Sequence, residues 1–371
     1  MQIPMLATLL KALELPDLPS SSRGVRSLQF TLPDYTSPPL PEAINATPVA
    51  YQSDETIDAA RSLDADGKCV GDQAKDNSEA CQIKFGSEFN ESSTGVLFFS
   101  GALVDPRGYS PLMAMISDAY NLPISVPIFD GDTSYKFGTC ESGRLAQAQF
   151  AFPSVEKWIF IGHSLGGVTA FNDVWAMAGR NETDAIGGLV LLASYVRQDL
   201  GCGATDFSGD EWSWLPVASI SASEDGVANA TDFAAGQAFL PSHSPRFINE
   251  TIEGGNHGGF GSYDDSERYE LLGQTDGNAS ITNEEQQRQT TIIIGEIEDM
   301  ASSLIEVEKS ESNAPTVAPI MQESPTDTES NDENDESSNL SYSNDATNAA
   351  GSLDGFLLYM CLFVSVSLFV L

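Results

Sequence analysis

The chain has 371 residues, 54 of them acidic and 17 basic, for a formal net charge of −37. Such a charge argues against nucleic acid as a partner, because phosphate binding needs clustered Lys and Arg, and against docking on anionic lipid through a basic patch. The acidity is not confined to a tail: residues 91–305 carry 29 acids and 9 bases, a balance that favours solubility and says nothing of fold.

Residues 1–45 are rich in Pro, Ser and Leu without a sustained period, and read as an extended arm. From 46 to 305 strand-like runs alternate with helical ones. Thr47–Gln52 and Cys81–Phe85 read as two early strands, and Val96–Ser100 as a buried one. Ser110–Tyr120 follows as a helix, with Ser110 at the N-cap and Pro111 at the first helical position. Ile124–Phe129 is a strand and Gly143–Phe152 a helix. Trp158–Gly162 is a strand and Leu165–Ala178 a helix. Leu189–Ala193 and Pro216–Ala222 are further strands, then Val227–Phe239 a helix. Arg246–Glu253 is the last strand and Glu284–Ser303 the last helix. Apolar strands alternating with amphipathic helices imply an α/β domain, its mostly parallel sheet covered by helices on both faces. The region between Tyr195 and Leu215 joins one strand end to the next strand and is expected to roof the site as a short cap loop. Its Trp212 and Trp214 either line an acyl pocket or cover the core.

Residues 306–350 hold 11 acids, one base and almost no large apolar side chains, the composition of a disordered stalk. Residues 351–371 end in Phe356–Leu371, sixteen uncharged apolar-rich residues. Sixteen residues of helix fall short of a hydrocarbon core of about 30 Å. Small residues in Ser343–Ser352, a short spacer and an apolar end match a GPI-attachment signal, with Asn344 or Asn348 as the attachment site; a retained tail anchor is the alternative.

Cys361 lies in that ending. The other four cysteines suit two disulfides, Cys69 with Cys81 and Cys140 with Cys202. No CxxC or clustered Cys/His spacing suggests a metal site, and Asp64-Ala-Asp66-Gly67 lacks the spacing of a calcium loop. Sequons occur at Asn45, Asn90, Asn181, Asn229, Asn249, Asn278 and Asn339, against about three expected by chance. Cysteines and sequons together point to the cell surface or a secretory lumen. Met1–Leu10 holds no basic residue, and Lys11 and Glu14 interrupt its apolar run, so it does not read as a cleavable signal.

The chemistry centres on Trp158-Ile-Phe-Ile-Gly162 running into His163-Ser164-Leu165-Gly166-Gly167. This is G-x-S-x-G in its required context of strand, sharp turn and helix, where small flanking residues let strand and helix approach. The turn lifts the Ser164 hydroxyl above the strand ends at a helix N-terminus. A serine nucleophile needs a base. His163 is held in the turn and reads as structural. His243 precedes the last strand, while His257, in Gly254-Gly-Asn-His-Gly-Gly259, lies just past it, at the carboxyl edge of a parallel sheet. His257 is therefore expected as the base. Asp225, just past a strand, is the orienting acid, with Glu224 as rival; the order Ser164, Asp225, His257 is that of the α/β-hydrolase triad. The oxyanion donors are expected to be the backbone N–H groups of Leu165 and of Ala102, the latter after an earlier strand.

With these residues in place the chain resembles the α/β-hydrolase superfamily, in the branch related to dienelactone hydrolases (the alpha/beta hydrolase fold-5 domain). The similarity rests on GALVDPRGYSPLM, GHSLGGVTAF, GGLVLLASY, the strand ending at SASEDG, and GGNHGGFGSYDD followed by GQTDGNASITNEEQQ. It spans roughly residues 95–290 and implies a serine hydrolase with Ser164, Asp225 and His257 in the usual roles. The expected activity is hydrolysis of a carboxylic ester, small or lipid-like, without metal or organic cofactor. A surface binding or adhesion protein on a hydrolase scaffold, or an acyltransferase, are the alternatives, and the C-terminal tail or a GPI anchor is expected to contact membrane.

Overall fold

Continuous apolar runs, rather than alternating ones, build the middle of the sheet. In the computed structural model the residues described are 35–69, 80–89, 91–135, 140–198, 200 and 205–312. In chain order they form α1 (Pro41–Ala46), α2 (Asp54–Ala65), β1 (Gln82–Phe85), β2 (Thr94–Phe99), α3 (Ser110–Tyr120), β3 (Ile124–Pro127), α4 (Leu145–Ala151), β4 (Lys157–His163), α5 (Leu165–Gly179), β5 (Ile186–Leu192), β6 (Val217–Ala222), α6 (Ala230–Gln237), β7 (Phe247–Ile252), α7 (Ser266–Leu272) and α8 (Asn283–Ser312). The strand order is β1-β3-β2-β4-β5-β6-β7, with β1 antiparallel to β3 and every other pairing parallel. The expected α/β architecture is therefore present.

Successive side chains of a strand go to opposite faces, and the two layers of core follow from that. Phe98, Ile159, Ile161, Val190 and Leu192 pack with Tyr109 and Leu112 of the α3 side and Ile294 and Ile297 of α8. Their neighbours Leu97, Phe99, Phe160, Leu189 and Leu191 pack with Phe171 and Val174 of α5. Each such side chain, fully removed from water, contributes roughly 1.5–3 kcal/mol. The close fit of α8 on the sheet needs a small residue below it: a Cβ on Gly188 would sit 2.8 Å from Ile297.

Several expectations give way. Thr47–Gln52 is not a strand; Val49–Tyr51 is a single 3-10 turn, entered through Pro48, with the Thr47 N–H ending α1 by donating to Ala43 and Ile44. The short apolar run Pro48–Tyr51 imitated a strand, but the backbone there ends α1 and makes a 3-10 turn. Ser110 is not the N-cap of α3: Tyr109 takes that place, and the Ser110 hydroxyl bonds Thr47 Oγ1 at 2.7 Å. The end of the expected arm is built into the domain. Ser37 bridges to Val104, Pro39 bridges to Tyr263, and α1 follows. At the other end α8 runs to Ser312, seven residues into the expected stalk. The rest of that stalk, the C-terminal ending with its attachment sites, Cys361, Cys202, Asn90 and Asn339 lie outside the described residues. No helix among the described residues is long and apolar enough to cross a membrane.

Cys69 and Cys81 form the expected disulfide, and Cys140 is disulfide-bonded as well. The sequon residues Asn45, Asn181, Asn229, Asn249 and Asn278 are all exposed. Asn229 already caps α6, its Oδ1 accepting from the N–H groups of Thr231 and Asp232. Asp64 is not a cation ligand: it is buried against the Arg144 guanidinium and accepts from the Asp130 N–H. Among the described residues no cluster of His, Cys, Asp and Glu could hold a metal ion.

Candidate active site

The parallel strands all point their carboxyl ends to one edge, and four of the turns leaving that edge carry the expected groups: Ala102 after β2, Ser164 after β4, Asp225 after β6 and His257 after β7. Ser164 sits at φ 53° and ψ −122°, a conformation that costs a non-glycine residue on the order of 1–3 kcal/mol. The flanking glycines are forced by contact. A Cβ on Gly162 would collide with the Gly166 carbonyl, and one on Gly166 with the Phe99 carbonyl.

Burial marks where this edge is open. From Thr94 to Ser110 every residue is buried except Ala102, and from Lys157 to Val174 every residue is buried except Ser164 and Leu165. These three are the nucleophile candidate and the two oxyanion candidates. Leu165 is the first residue of α5, so its N–H has no partner within the helix and faces outward with the helix dipole behind it.

The imidazole is held from one side. His257 Nδ1 lies 2.9 Å from Asp225 Oδ2, and both side chains are nearly inaccessible. The other carboxylate oxygen, Oδ1, accepts from the N–H groups of Val227 and Ala228 at 2.8 and 2.7 Å. His257 Nε2 is buried and has no hydrogen-bond partner among the described residues. The rivals fall away on position. Glu224 is exposed, and His243 is exposed and paired with exposed Asp210 at 3.0 Å, an arrangement that contributes little.

His163 lies beneath the site, as expected of a structural residue, and its partners fix its tautomer. Its Nε2 lies 3.0 Å from the His257 carbonyl, which can only accept, so Nε2 carries the proton. Nδ1 then accepts from Tyr109 Oη at 2.8 Å, and Tyr109 Oη accepts from the Gly101 N–H at 3.1 Å. One chain of bonds thus ties the turn bearing Ala102 to the residue before Ser164 and to the backbone of His257. Complete burial, and next the proximity of His257, hold the His163 pKa well below the usual imidazole value, so it stays neutral and does not compete with His257 for a proton. The rings of His163 and His257 are 4.7 Å apart, which brings His257 up against the residue preceding Ser164.

Asp276 was not singled out from the sequence, yet it joins two of the turns. Its carboxylate accepts from the N–H groups of His257 and Gly258 at 3.1 and 2.8 Å and from that of Gly226, next to Asp225, at 3.1 Å. It lies within GQTDGNASITNEEQQ, and that location was the only available signal. Asn256 and Gln286 brace the same turn, Gln286 bonding both backbone groups of Asn256. Replacing Asp276 with Asn removes acceptor capacity at a crowded site. We expect Asp276→Asn to lower kcat/KM by about tenfold or more through a displaced imidazole, with a smaller loss of thermal stability; unchanged steady-state kinetics would show that the two turns hold their places without it.

The Ala102 turn is secured from outside. Leu103 has φ 58° and donates its N–H to the Asp132 carbonyl. Arg61 of α2 reaches Asp105 and Asp132 at 2.8 and 2.7 Å, and Arg107 reaches Asp105 and Asp54 at 2.8 and 2.7 Å. Burial outweighs the pull of Arg61 and raises the Asp132 carboxyl to about 6. Of the two readings of the tryptophans, Trp212 takes the core one: it stacks on Trp175 of α5 at 5.3 Å and meets Phe207 edge-on at 4.7 Å. Trp175 lies three turns along α5 from Ser164. A cleft lined by Phe129, Tyr135, Thr169, Asn172 and Asp173 opens along the same helix, and none of Ser164, Asp225 and His257 lines it.

A profile of the alpha/beta hydrolase family matches residues 95–288. Solved structures of similar fold include a malate-bound thermophilic esterase from Thermogutta terrifontis, 13% identical, with 59% of this chain and 93% of that one covered at a TM-score of 0.38. Another is the RedJ thioesterase of the prodiginine pathway in Streptomyces coelicolor, 14% identical over 49% of this chain and 89% of that one at a TM-score of 0.36. A third is an alpha-beta serine hydrolase homologue from Coxiella burnetii, 15% identical over 45% of this chain and 78% of that one at a TM-score of 0.33. No curated protein matches the chain.

Proposed function

Because the chain belongs to the alpha/beta hydrolase family, we propose that it is a serine hydrolase acting on a carboxylic ester, through Ser164 as nucleophile, His257 as base and Asp225 as the acid that orients it. The observation that carries the reading is the His257 ring: Nδ1 bonded to a buried carboxylate, Nε2 buried without a partner among the described residues, beside the turn that presents Ser164. A buried nitrogen left unbonded costs free energy, and a serine hydroxyl or a substrate oxygen arriving there repays the arrangement with chemistry.

Ser164 Oγ attacks the acyl carbon as His257 Nε2 takes its proton. The carbonyl oxygen becomes an oxyanion held by the N–H groups of Ala102 and Leu165, each donor typically worth about 3 kcal/mol of barrier. The ester C–O bond then breaks, and the proton on Nε2 goes to the leaving alkoxide. Water repeats the sequence on the acyl-enzyme, His257 taking its proton, and the acid leaves with Ser164 restored. Asp225 keeps the proton of Nδ1 in place and stabilises the imidazolium. A small or lipid-like ester fits this scheme, which calls for no cofactor.

Labelling with a fluorophosphonate, combined with a panel of short and long acyl esters, tests the proposal. The expected outcome is a single phosphonylated serine, Ser164 by peptide mapping, and turnover of at least one ester. A protein that neither labels nor turns over any ester is a binding scaffold.

A further inference from the structure

We propose that Arg268 is a positioning residue of the oxyanion hole, a fixed positive charge that grips the Ala102 carbonyl, one peptide on from the N–H that would face the oxyanion. This rests on the reading of Ala102 as an oxyanion donor. Arg268 projects from α7, is 2% exposed, and donates from Nη1 to the Ala102 carbonyl at 3.3 Å. Its Nε and Nη2 have no hydrogen-bond partner among the described residues. An arginine keeps its proton in a protein, and a buried cation normally comes paired with a carboxylate. Here aromatic rings stand in place of a close carboxylate: the guanidinium lies 4.5 Å over the Tyr269 ring and 5.4 Å from the centre of Tyr263. Ring faces attract a cation but do not cancel its charge, and the carboxylate of Asp265 acts on it without forming an ion pair. Part of the positive field therefore reaches the neighbouring turn.

That turn is where negative charge develops in the reaction. Ala102 is the one residue of its stretch that is not buried, and the next residue holds the strained φ of 58°. Arg268 holds the Ala102 carbonyl, while the Asp132 carbonyl accepts from the Leu103 N–H and the Ser37 N–H donates to the Leu103 carbonyl. A charge-assisted bond of this kind is stronger than a neutral one. It holds in place, before the oxyanion forms, the peptide that follows the donating N–H, and the nearby charge favours the oxyanion over the neutral ester. The effect should fall on kcat and spare KM.

The test compares Arg268→Lys, Arg268→Gln and Arg268→Met in the full chain, using a short p-nitrophenyl ester and phenylboronic acid, whose serine adduct is a tetrahedral anion. Near-ultraviolet circular dichroism and melting report the fold. The expected result is a kcat lower by about 10- to 100-fold for Met and Gln with KM changed little, a parallel loss of boronate affinity, and Lys closer to the wild type than either. Gln keeps a donor for the Ala102 carbonyl but no charge, so a Gln variant with wild-type kcat overturns the proposal. So does a change in KM alone, or Lys as impaired as Met. Should Met and Gln fail to fold, a folded Lys variant as inactive as Ser164→Ala overturns it, and one retaining most of kcat and boronate affinity supports it. A wild type without labelling or turnover overturns the hydrolase reading itself; an active wild type with indifferent Arg268 variants overturns only this role.

Discussion

Ser164→Ala is expected to lose ester hydrolysis to below about one part in a thousand of the wild-type kcat/KM, and to lose all labelling by fluorophosphonate, while melting where the wild type melts. The hydroxyl is the only group removed. The strained backbone and the collisions that demand Gly162 and Gly166 belong to the main chain, so alanine inherits them and stability should not move. Glycine is the informative companion. At φ 53° it is free of the strain that a Cβ imposes, so Ser164→Gly should be equally inactive yet melt several degrees higher, in line with roughly 1–3 kcal/mol of released strain. Residual Ser164→Ala turnover above one part in a thousand would remove Ser164 from the nucleophile's role. An unchanged melting temperature in the glycine variant would show that the released strain is no larger than the roughly 0.4–1 kcal/mol of chain entropy that glycine adds to the unfolded state.

His257→Ala should be as damaging as Ser164→Ala, because residues that act as one unit fail together. Asp225→Asn should approach it, and the reason lies in the fixed surroundings of the carboxylate. Val227 and Ala228 both donate to Oδ1, so an asparagine must place its carbonyl there and turn its amide NH2 toward the imidazole. Nδ1 would then have to accept, and the ring would carry its proton on Nε2, where a base must be empty. A wrong tautomer of this kind costs on the order of 10⁴-fold. Glu224→Gln and His243→Ala, both at exposed positions, should stay within about twofold. The reverse ranking in kcat/KM, in either pair, would show that the acid or the base is the other residue.

The parts of the site legible in the sequence are those whose physics is local. A run such as Trp158–Gly162 can only be a buried strand, and the glycines after it announce a turn that no side chain could share. His257 and Asp225 could be chosen because each follows a strand at the carboxyl edge. What escaped notice works over distance. Asp276 acts by accepting from main-chain N–H groups of turns far from it in sequence, and such an acceptor has no signature beyond being an aspartate. Arg268 looks like any helix arginine until its burial is known. α2 escaped because its buried face is small, only Ile57 and Ala60 with Asp64, although Ser53 followed by Asp54 and Glu55 is a good helix start. Thr47–Gln52 misled for the opposite reason, a short apolar run on a backbone already committed to ending α1.

The segment from Ser37 to Pro39 gives the site a place in time. It bridges first to the turn after β2 and then to the one after β7, so it is among the first described parts of the chain to leave the ribosome and among the last to find all its partners. Val104, in the turn after β2, is made early, whereas Tyr263 is made only after β7 and the turn bearing His257. A nascent chain stalled before β7 would lack both Tyr263 and His257, so one end of this segment would be unattached. On the proposed mechanism such a half-made chain is inert.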